Sequence, residues 1–393
     1  MGGSRAGQAG GGDAGALGQV REQVGRALER FLDRQRPVVL AAAGEELLPG
    51  LEAIGELLGG GKRLRAAFCY WGWRGAGGGS DPGIFTAAAS LELLHASALV
   101  HDDVMDGSDT RRGRPSMHRR FAMRHAAAGW QGSAESFGNG AAILMGDLLL
   151  SWTDEMFHSS ELPAGALRRG APVLSLMRTE VMAGQYLDLL EQARATGTVD
   201  AALRVARLKT ARYTIERPLH LGAALAGPSR PDSGITAAAR EALDTSASSE
   251  SAPGKDVAAI NAAYSRFGLP LGTAFQLRDD LLGVFGDPAQ TGKPAGDDLR
   301  EGKRTVLVAI ALAKAGPAEA AVLTRRLGDP QLGAEGVDQV RSVITDTGAL
   351  AECEALIERY TSEALAAVED APITADARAA LAELAIAATS RIG

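Results

Sequence analysis

From Leu17 to the C-terminal end, apolar residues recur with helical spacing, and convincing strand alternation is scarce. The pattern predicts helices over 17–34, 39–58, 61–74, 84–106, 134–159, 164–193, 199–226, 256–284, 303–315, 317–327, 335–348, 350–369 and 374–391. Glycine and proline clusters punctuate them, such as GAGGGSDPG at 75–83 and GDPAQTGKPAG at 286–296. The stretches 84–100, 141–152 and 256–277 are apolar or small around most of their circumference. Such helices belong at the centre of a bundle, with amphipathic helices around them. One large all-α domain over 17–393 is expected, with no internal repeat. Residues 1–16 form a Gly-rich tail expected to be disordered. Residues 227–256, rich in Ser, Ala and Pro, are expected to be a flexible insertion between two helices, with one short helix at 235–243.

Composition supports the helical reading. Of 393 residues, 46% are hydrophobic and 23% charged, while aromatics are only 5%, so alanine and leucine dominate a chain large enough for a sizeable core. The net charge of −7 argues against nucleic acid as a partner, which wants a basic face. Cys69 and Cys353 are the only cysteines and have no metal-type spacing. The N-terminus has no apolar core of the kind a signal peptide needs. The run AAILMGDLLLSW at 141–152 is too short to span a bilayer and carries Asp147. A cytoplasmic protein without a transmembrane segment is the expectation.

Charge concentrates where the helices are most apolar. In LLHASALVHDDVMDGSDTRRGRP (93–115), Asp102 and Asp106 lie one helical turn apart with Asp103 beside them. Three carboxylates packed this way repel one another and suit a hard divalent cation; Mg²⁺ takes one or two carboxylates plus phosphate oxygens. Arg111 and Arg112 follow at once, and guanidinium forks match phosphate geometry. A metal-bridged polyphosphate is therefore indicated, against the alternative of a solvated, self-paired helix end. The core-like LELLHASALV just upstream weighs against that alternative. A second apolar helix ends in FQLRDDLLGVFGD (275–287), with Asp279 and Asp280, Gln276 one turn earlier, and Asp287 beyond two glycines. Acid is unfavourable near a helix C-terminus and needs a compensating cation. Gly283, four residues after Asp279, leaves this helix without a stacked carboxylate, so the second cluster is expected to hold metal more weakly, through Asp279 with water. GGGKRLR at 59–65 fails the phosphate-binding P-loop pattern, because Glu56 and Arg63 stand where Gly and Ser or Thr belong.

Taken in order, GGGKRLR, LLHASALVHDDVMDGSDTRRGRP, GQYLD, KT, FQLRDD and GKPAGDDLREGKRT make a series that resembles the trans-isoprenyl diphosphate synthase (polyprenyl synthetase) family over residues 20–390. The resemblance implies a single helical bundle of the isoprenoid synthase type with a central active-site cavity. It implies Mg²⁺, three ions with substrate bound, and two substrates, isopentenyl diphosphate and an allylic diphosphate of C5–C15. It also implies a homodimer. By the same resemblance, Asp102, Asp103 and Asp106 match the first metal-binding motif, and Asp279 and Asp280 the second. Lys62, Arg65, His95 and Arg112 match residues that hold the isopentenyl diphosphate. Arg111, Lys209 and Lys293 match contacts to the allylic diphosphate. Gln185, Thr210 and Gln276 match polar residues around the reacting centre, and Asp188 and Lys303 match motif positions. Gly283 departs from the family, which has a third aspartate there.

The reaction implied is ionisation of the allylic diphosphate, attack by the isopentenyl double bond, and proton loss to the departing pyrophosphate. No histidine base is needed, and His101, His118, His125, His158 and His220 are read as ordinary satisfied side chains. One helical turn of ~5.4 Å is about the length of one isoprene unit. Ser97 and Ala98, just before Asp102, are small where family members that stop near C15 carry aromatics. That suggests geranylgeranyl diphosphate (C20) or a longer product. Leu94, or Met145, Leu149 or Trp152 from a neighbouring helix, would form the floor. Two other classes share the metal motifs: a class I terpene cyclase, and a non-catalytic subunit of a heteromeric prenyl synthase. The first would not need the basic cradle around Lys62, and the second would be expected to have lost its aspartates.

Overall fold

The computed structural model describes residues 15–194, 197–227, 257–287 and 296–389. Helix α1 (Gly18–Ala43) passes through a 3₁₀ turn (Gly44–Leu47) into α2 (Leu48–Leu58). Then come α3 (Leu64–Gly75), α4 (Gly83–Met105), a hairpin of β1 (Thr110–Arg111) and β2 (Arg114–Pro115), α5 (Met117–Ala127) and α6 (Ala134–His158). Next are α7 (Ala164–Arg194), α8 (Val199–Ala206), a π-helical segment (Arg207–Glu216) and α9 (Arg217–Ala226). The chain continues with α10 (Val257–Phe285), the short α11 (Asp297–Arg300), α12 (Val306–Lys314), α13 (Pro317–Arg326), α14 (Ala334–Asp346), α15 (Ala349–Glu369) and α16 (Ala375–Thr389). The fold is all-α, as expected. The Gly-rich tail before residue 15 and the expected short helix at 235–243 lie outside the described residues.

Four local expectations are corrected. The break expected between residues 34 and 39 is absent, and α1 runs through Pro37. Proline removes a donor, but Asp33 and Pro37 are both exposed, so water can reach the carbonyl that loses its partner. Residues 117–127, assigned no helix above, form α5, whose buried face is Met117, His118, Phe121 and His125. The helix expected over 199–226 is interrupted by the π-helical segment. The helix expected from residue 303 starts at Val306, capped by the Thr305 hydroxyl, which accepts from Val308 N at 3.3 Å.

The central helices are those whose apolar character is least one-sided. Helix α4 buries Leu91, Leu93, Leu94, Ala96 and Val100 between α3, α6 and α1. It is also the one helix among the described residues long and apolar enough to cross a membrane, and 72% of that window is buried inside the bundle. Its apolarity is spent on protein neighbours. A second core, around Leu277, Leu281, Val306–Ala311 and Ile344, joins the C-terminal part of α10 to α12, α14 and α15. The two cores meet along α10, and the aspartate-bearing ends of α4 and α10 look into one cavity.

Helices α3 and α9 touch backbone to backbone. A Cβ on Gly222 would overlap the Cys69 carbonyl, and one on Gly72 would stand 2.8 Å from Leu219 Cα. Neither neighbour can rotate away. Gly222→Ala is therefore expected to destabilise the protein by at least about 2 kcal/mol, the scale of overpacking in a rigid core. A urea unfolding curve reads this directly, and an unchanged midpoint would show that the two helices can separate at no cost.

Candidate active site

A cavity of about 980 Å³ runs between α4, α7, the π-helical segment, α10 and the α11–α12 connection. That is at the upper end of ligand-sized cavities. Its polar end carries Lys62, Arg65, Asp102, Arg111, Asp188, Lys209, Asp279, Asp280, Asp298 and Lys303; its apolar end carries Leu94, Ala98, Leu150 and Val181. A charged mouth on an apolar tube matches an amphiphile with an anionic head.

The three aspartates of α4 have different surroundings. Asp102 Oδ1 accepts from Lys209 Nζ at 3.0 Å, and Arg111 stands 3.9 Å from its other oxygen. Burial works to raise this carboxyl, but Lys209, Lys303 and Arg111 outweigh it and hold it down to about 2. Asp106 is different. Its side chain is 1% exposed, neither oxygen receives a hydrogen bond, and Lys303 Nζ lies 3.1 Å away as an ion pair. Burial is the main cause that pushes it up to about 6, with Lys303 opposing and Asp102 assisting. Asp103 faces elsewhere: it is 3% exposed, off the cavity lining, and accepts from Arg111 Nε at 3.0 Å and from Arg111 Nη2. Of the three aspartates, Asp102 lines the cavity, Asp106 lies buried against Lys303, and Asp103 orients Arg111.

The hairpin makes that orientation possible. Arg111 pairs with Arg114 across a two-residue turn in which Arg112 and Gly113 have φ of 54° and 73°. Two left-handed residues make a type I′ turn, which matches the twist of the flanking strands. Arg111 is thereby sent back to Asp103, and Arg112 across to α2, where its Nη1 donates to the Leu57 carbonyl at 3.2 Å. Gly60 and Gly61 let it settle there, since a Cβ on either would lie 2.9–3.0 Å from the guanidinium. The glycines of GGGKRLR thus make room for an arginine. Arg63, which spoils the P-loop pattern, is itself buried; it donates to the Leu58 carbonyl and pairs with Glu92 at 3.4 Å.

On the same side, Arg65 stacks 4.5 Å over the Tyr213 ring and donates to Thr214 Oγ1 at 2.8 Å. His95 packs beside Tyr213, and its Nδ1 is buried without a hydrogen-bond partner. Burial, then Arg65 and Arg112, push its pKa well below the usual histidine value, so the ring is neutral. The five histidines read as ordinary are satisfied locally, for example His125 on the Gln131 carbonyl at 3.1 Å and His158 on Asp154 O at 2.8 Å. His101, on Ile143 O at 3.2 Å, also lines the cavity.

Lys209 and Thr210 come from the π-helical segment. Lys209 Nζ bridges Asp102 at 3.0 Å and Asp188 at 2.8 Å; burial disfavours its charge, but those two carboxylates more than restore it. Thr210 donates to Gln276 Oε1, and Gln276 Nε2 donates to Asp280 Oδ1 at 2.7 Å. Gln185 lines the cavity with its Nε2 buried and unpartnered. Burial above all pushes Asp280 up to about 8, with Asp298, Asp279 and Asp188 adding to it. Asp279 lines the cavity, whereas Asp287 is exposed beyond it. Lys293 lies outside the described residues.

Sequence reasoning missed Asp298. Gly283 was read as a lost carboxylate, yet a Cβ there would overlap Asp298 Oδ2, so α11 brings a carboxylate into the space beside that glycine. The signal was the pair Asp297–Asp298 in GDDLREGK, which can be placed only once α11 is known to fold back on α10. Lys303 then ties both halves of the site together, 3.1 Å from Asp106 and 3.6 Å from Asp298. Of the floor candidates, Leu94 lines the cavity, as do the small Ser97 and Ala98, while Met145, Leu149 and Trp152 are buried in the main core, Trp152 against Phe31 at 5.9 Å. Leu150 takes the place at the cavity wall instead.

An all-α bundle with two aspartate clusters and a basic cradle at the mouth of an apolar tube defines an enzyme acting on prenyl diphosphates. The Polyprenyl synthetase family profile matches residues 51–345, three quarters of the chain, and the chain belongs to that family. It is 33% identical over 311 residues to the geranylfarnesyl diphosphate synthase of Aeropyrum pernix, covering 78% of this chain and 82% of that one. To the (2E,6E)-farnesyl diphosphate synthase of Mycobacterium bovis it is 32% identical over 308 residues, covering 77% and 71%. The crystal structure of the geranylgeranyl pyrophosphate synthase of Corynebacterium glutamicum, complexed with isoprenyl diphosphate and magnesium, superposes with a TM-score of 0.85 at 40% identity. That alignment covers 96% of this chain and 99% of the other. The chain is thus a trans-prenyltransferase of the prenyl diphosphate synthase class.

Proposed function

We propose that the protein condenses isopentenyl diphosphate with an allylic diphosphate of C5–C15, head to tail, and releases geranylgeranyl diphosphate or a longer all-trans product. The observation that carries the length is the α4 wall: one turn beyond Asp102 the cavity is lined by Ser97 and Ala98, with no aromatic ring, and continues to Leu94. Relatives bear names for C15, C20 and C25 products, and the small residues on the α4 wall of this chain support the longer reading.

The residues fit Mg²⁺. Neither buried Asp106 oxygen receives a hydrogen bond and its charge faces the Lys303 ammonium at 3.1 Å, an arrangement compatible with a carboxylate that also serves a cation. Asp102 and Asp106 would hold metal on one side, Asp279 with Asp280 and Asp298 on the other. Bound there, Mg²⁺ would neutralise the charge that builds on the departing diphosphate.

The chain supplies the rest. On this reading Lys209 and Arg111 would hold the allylic diphosphate, with Lys293 assigned there by its sequence motif alone, and Lys62, Arg65, His95 and Arg112 would hold the isopentenyl diphosphate. The allylic C–O bond breaks, and its electron pair leaves with pyrophosphate. The isopentenyl double bond then forms the new C–C bond, and the proton lost from C2 goes to the pyrophosphate. The side-chain oxygens of Thr210, Gln276 and Gln185 offer dipoles to the cation without trapping it. A second copy would cover the apolar side chains that α5, α6 and their connection leave exposed: Met123 at 61%, Trp130 at 46%, Phe137 at 40% and Leu144 at 63%. No observation favours a cyclase or a non-catalytic subunit.

The test is to incubate the protein with Mg²⁺, isopentenyl diphosphate and, separately, C5, C10 and C15 primers, and to read chain length by mass spectrometry after dephosphorylation. Linear C20 or longer alcohols are expected from every primer accepted. A product that stops at C15 would show that the tube is closed above Leu94.

A further inference from the structure

Helix α7 presents three residues four apart, Glu180, Gly184 and Asp188, and all three meet the π-helical segment. Glu180 takes two hydrogen bonds from Arg217, at 2.7 and 2.8 Å, and one from Arg212 at 2.6 Å. Its side chain is 9% exposed, so this charge is committed to the two arginines. One turn on, Gly184 admits the segment's backbone: a Cβ there would lie 2.7 Å from Lys209 N and 3.0 Å from its Cα. One turn further, Asp188 receives Lys209 Nζ at 2.8 Å. On the far side, Arg217 Nη1 donates to His220 Nδ1 at 3.0 Å, and His220 Nε2 donates to the Asn261 carbonyl at 3.0 Å. Ser265 of α10 donates to Glu216 at 2.6 Å, which ties the end of the segment to a second helix.

A π-helical stretch of ten residues is costly, and π-bulges collect at functional sites. The register matters here, because adding one residue per turn is what sends Lys209 and Thr210 to the cavity while Arg212 turns away to Glu180. We propose that Glu180 is a positioning residue for the reaction: by clamping Arg212 and Arg217 it fixes the π-helical register that places Lys209 and Thr210. Glu180 itself lines no part of the cavity. The inference rests on the reading that Lys209 serves the allylic diphosphate.

The test compares Glu180→Gln, Gly184→Ala, Lys209→Ala and a control, Asp154→Asn, which breaks the Arg178–Asp154 pair between α6 and α7 outside the seam. Each is measured for kcat, for KM of both substrates and for melting temperature. Lys209→Ala is expected to lose most turnover. Glu180→Gln should lower kcat by about 10- to 100-fold per folded molecule, the scale of a misplaced catalytic group. Gly184→Ala should do the same through the backbone, so the result does not hang on Glu180→Gln folding well. Asp154→Asn should leave kcat unchanged whatever it does to the melting temperature. Loss in Lys209→Ala with normal kcat in Glu180→Gln would overturn the positioning role of Glu180, whatever Gly184→Ala does, and leave the reading of Lys209 standing. Normal kcat in Lys209→Ala would overturn both.

Discussion

Asp102→Ala is expected to lower turnover by at least about a thousandfold, combining the loss of a metal ligand with the loss of a fixed charge at the developing pyrophosphate. Asp102 sits at the junction of the site. It is held ionised by Lys209, Lys303 and Arg111, and its own oxygen fixes Lys209 at 3.0 Å. Alanine would leave three buried cations without their shared counter-charge, so both metal and lysine lose their places. Steady-state kcat under saturating substrates and Mg²⁺ reads the effect, and Asp109→Ala, on an exposed carboxylate paired with Arg119 at 3.0 Å, gives the comparison. Near-normal turnover of Asp102→Ala would refute the metal assignment on α4.

Ala98→Phe is expected to change the product instead of the rate. Ala98 stands one turn before Asp102 on the cavity wall, ~5.4 Å along the helix, or about one isoprene unit from the metal end. A phenyl ring there would enter the tube, because its other walls, Leu150 and Val181, belong to neighbouring helices and bound the space across from it. The main product should fall to C15 or shorter, with the allylic C5 primer still accepted. Mass spectrometry of the dephosphorylated products decides it; an unchanged distribution would mean that the chain does not run past Ala98.

The parts of this site that lie on continuous helices were legible in the sequence. Asp102 and Asp106 on α4, and Asp279 and Gln276 on α10, follow from periodicity and spacing alone, since a helix fixes which residues share a face. Partners chosen by tertiary contact were not legible. Nothing local says that Asp103 turns to Arg111, because that depends on a type I′ hairpin of only two residues per strand, too short to show alternation. Asp298 was hidden for a related reason: its place beside Gly283 depends on how a loop returns, and a missing aspartate was easier to see than its neighbour. The π-helical register escaped notice because an apolar helix pattern reads the same with or without one extra residue in a turn. At Pro37 the local rule for helix breaking gave way to solvent exposure, and in α5 a run of arginines masked a narrow apolar face.

The most direct measurement of the central claim uses isotope-labelled isopentenyl diphosphate with an unlabelled allylic primer, with and without Mg²⁺, following label in the lipid product and pyrophosphate in solution. The account predicts one pyrophosphate released for each labelled unit joined, in a linear product, and no release when Mg²⁺ is chelated. Pyrophosphate released from the primer alone, with cyclic hydrocarbon formed and no label incorporated, would contradict it.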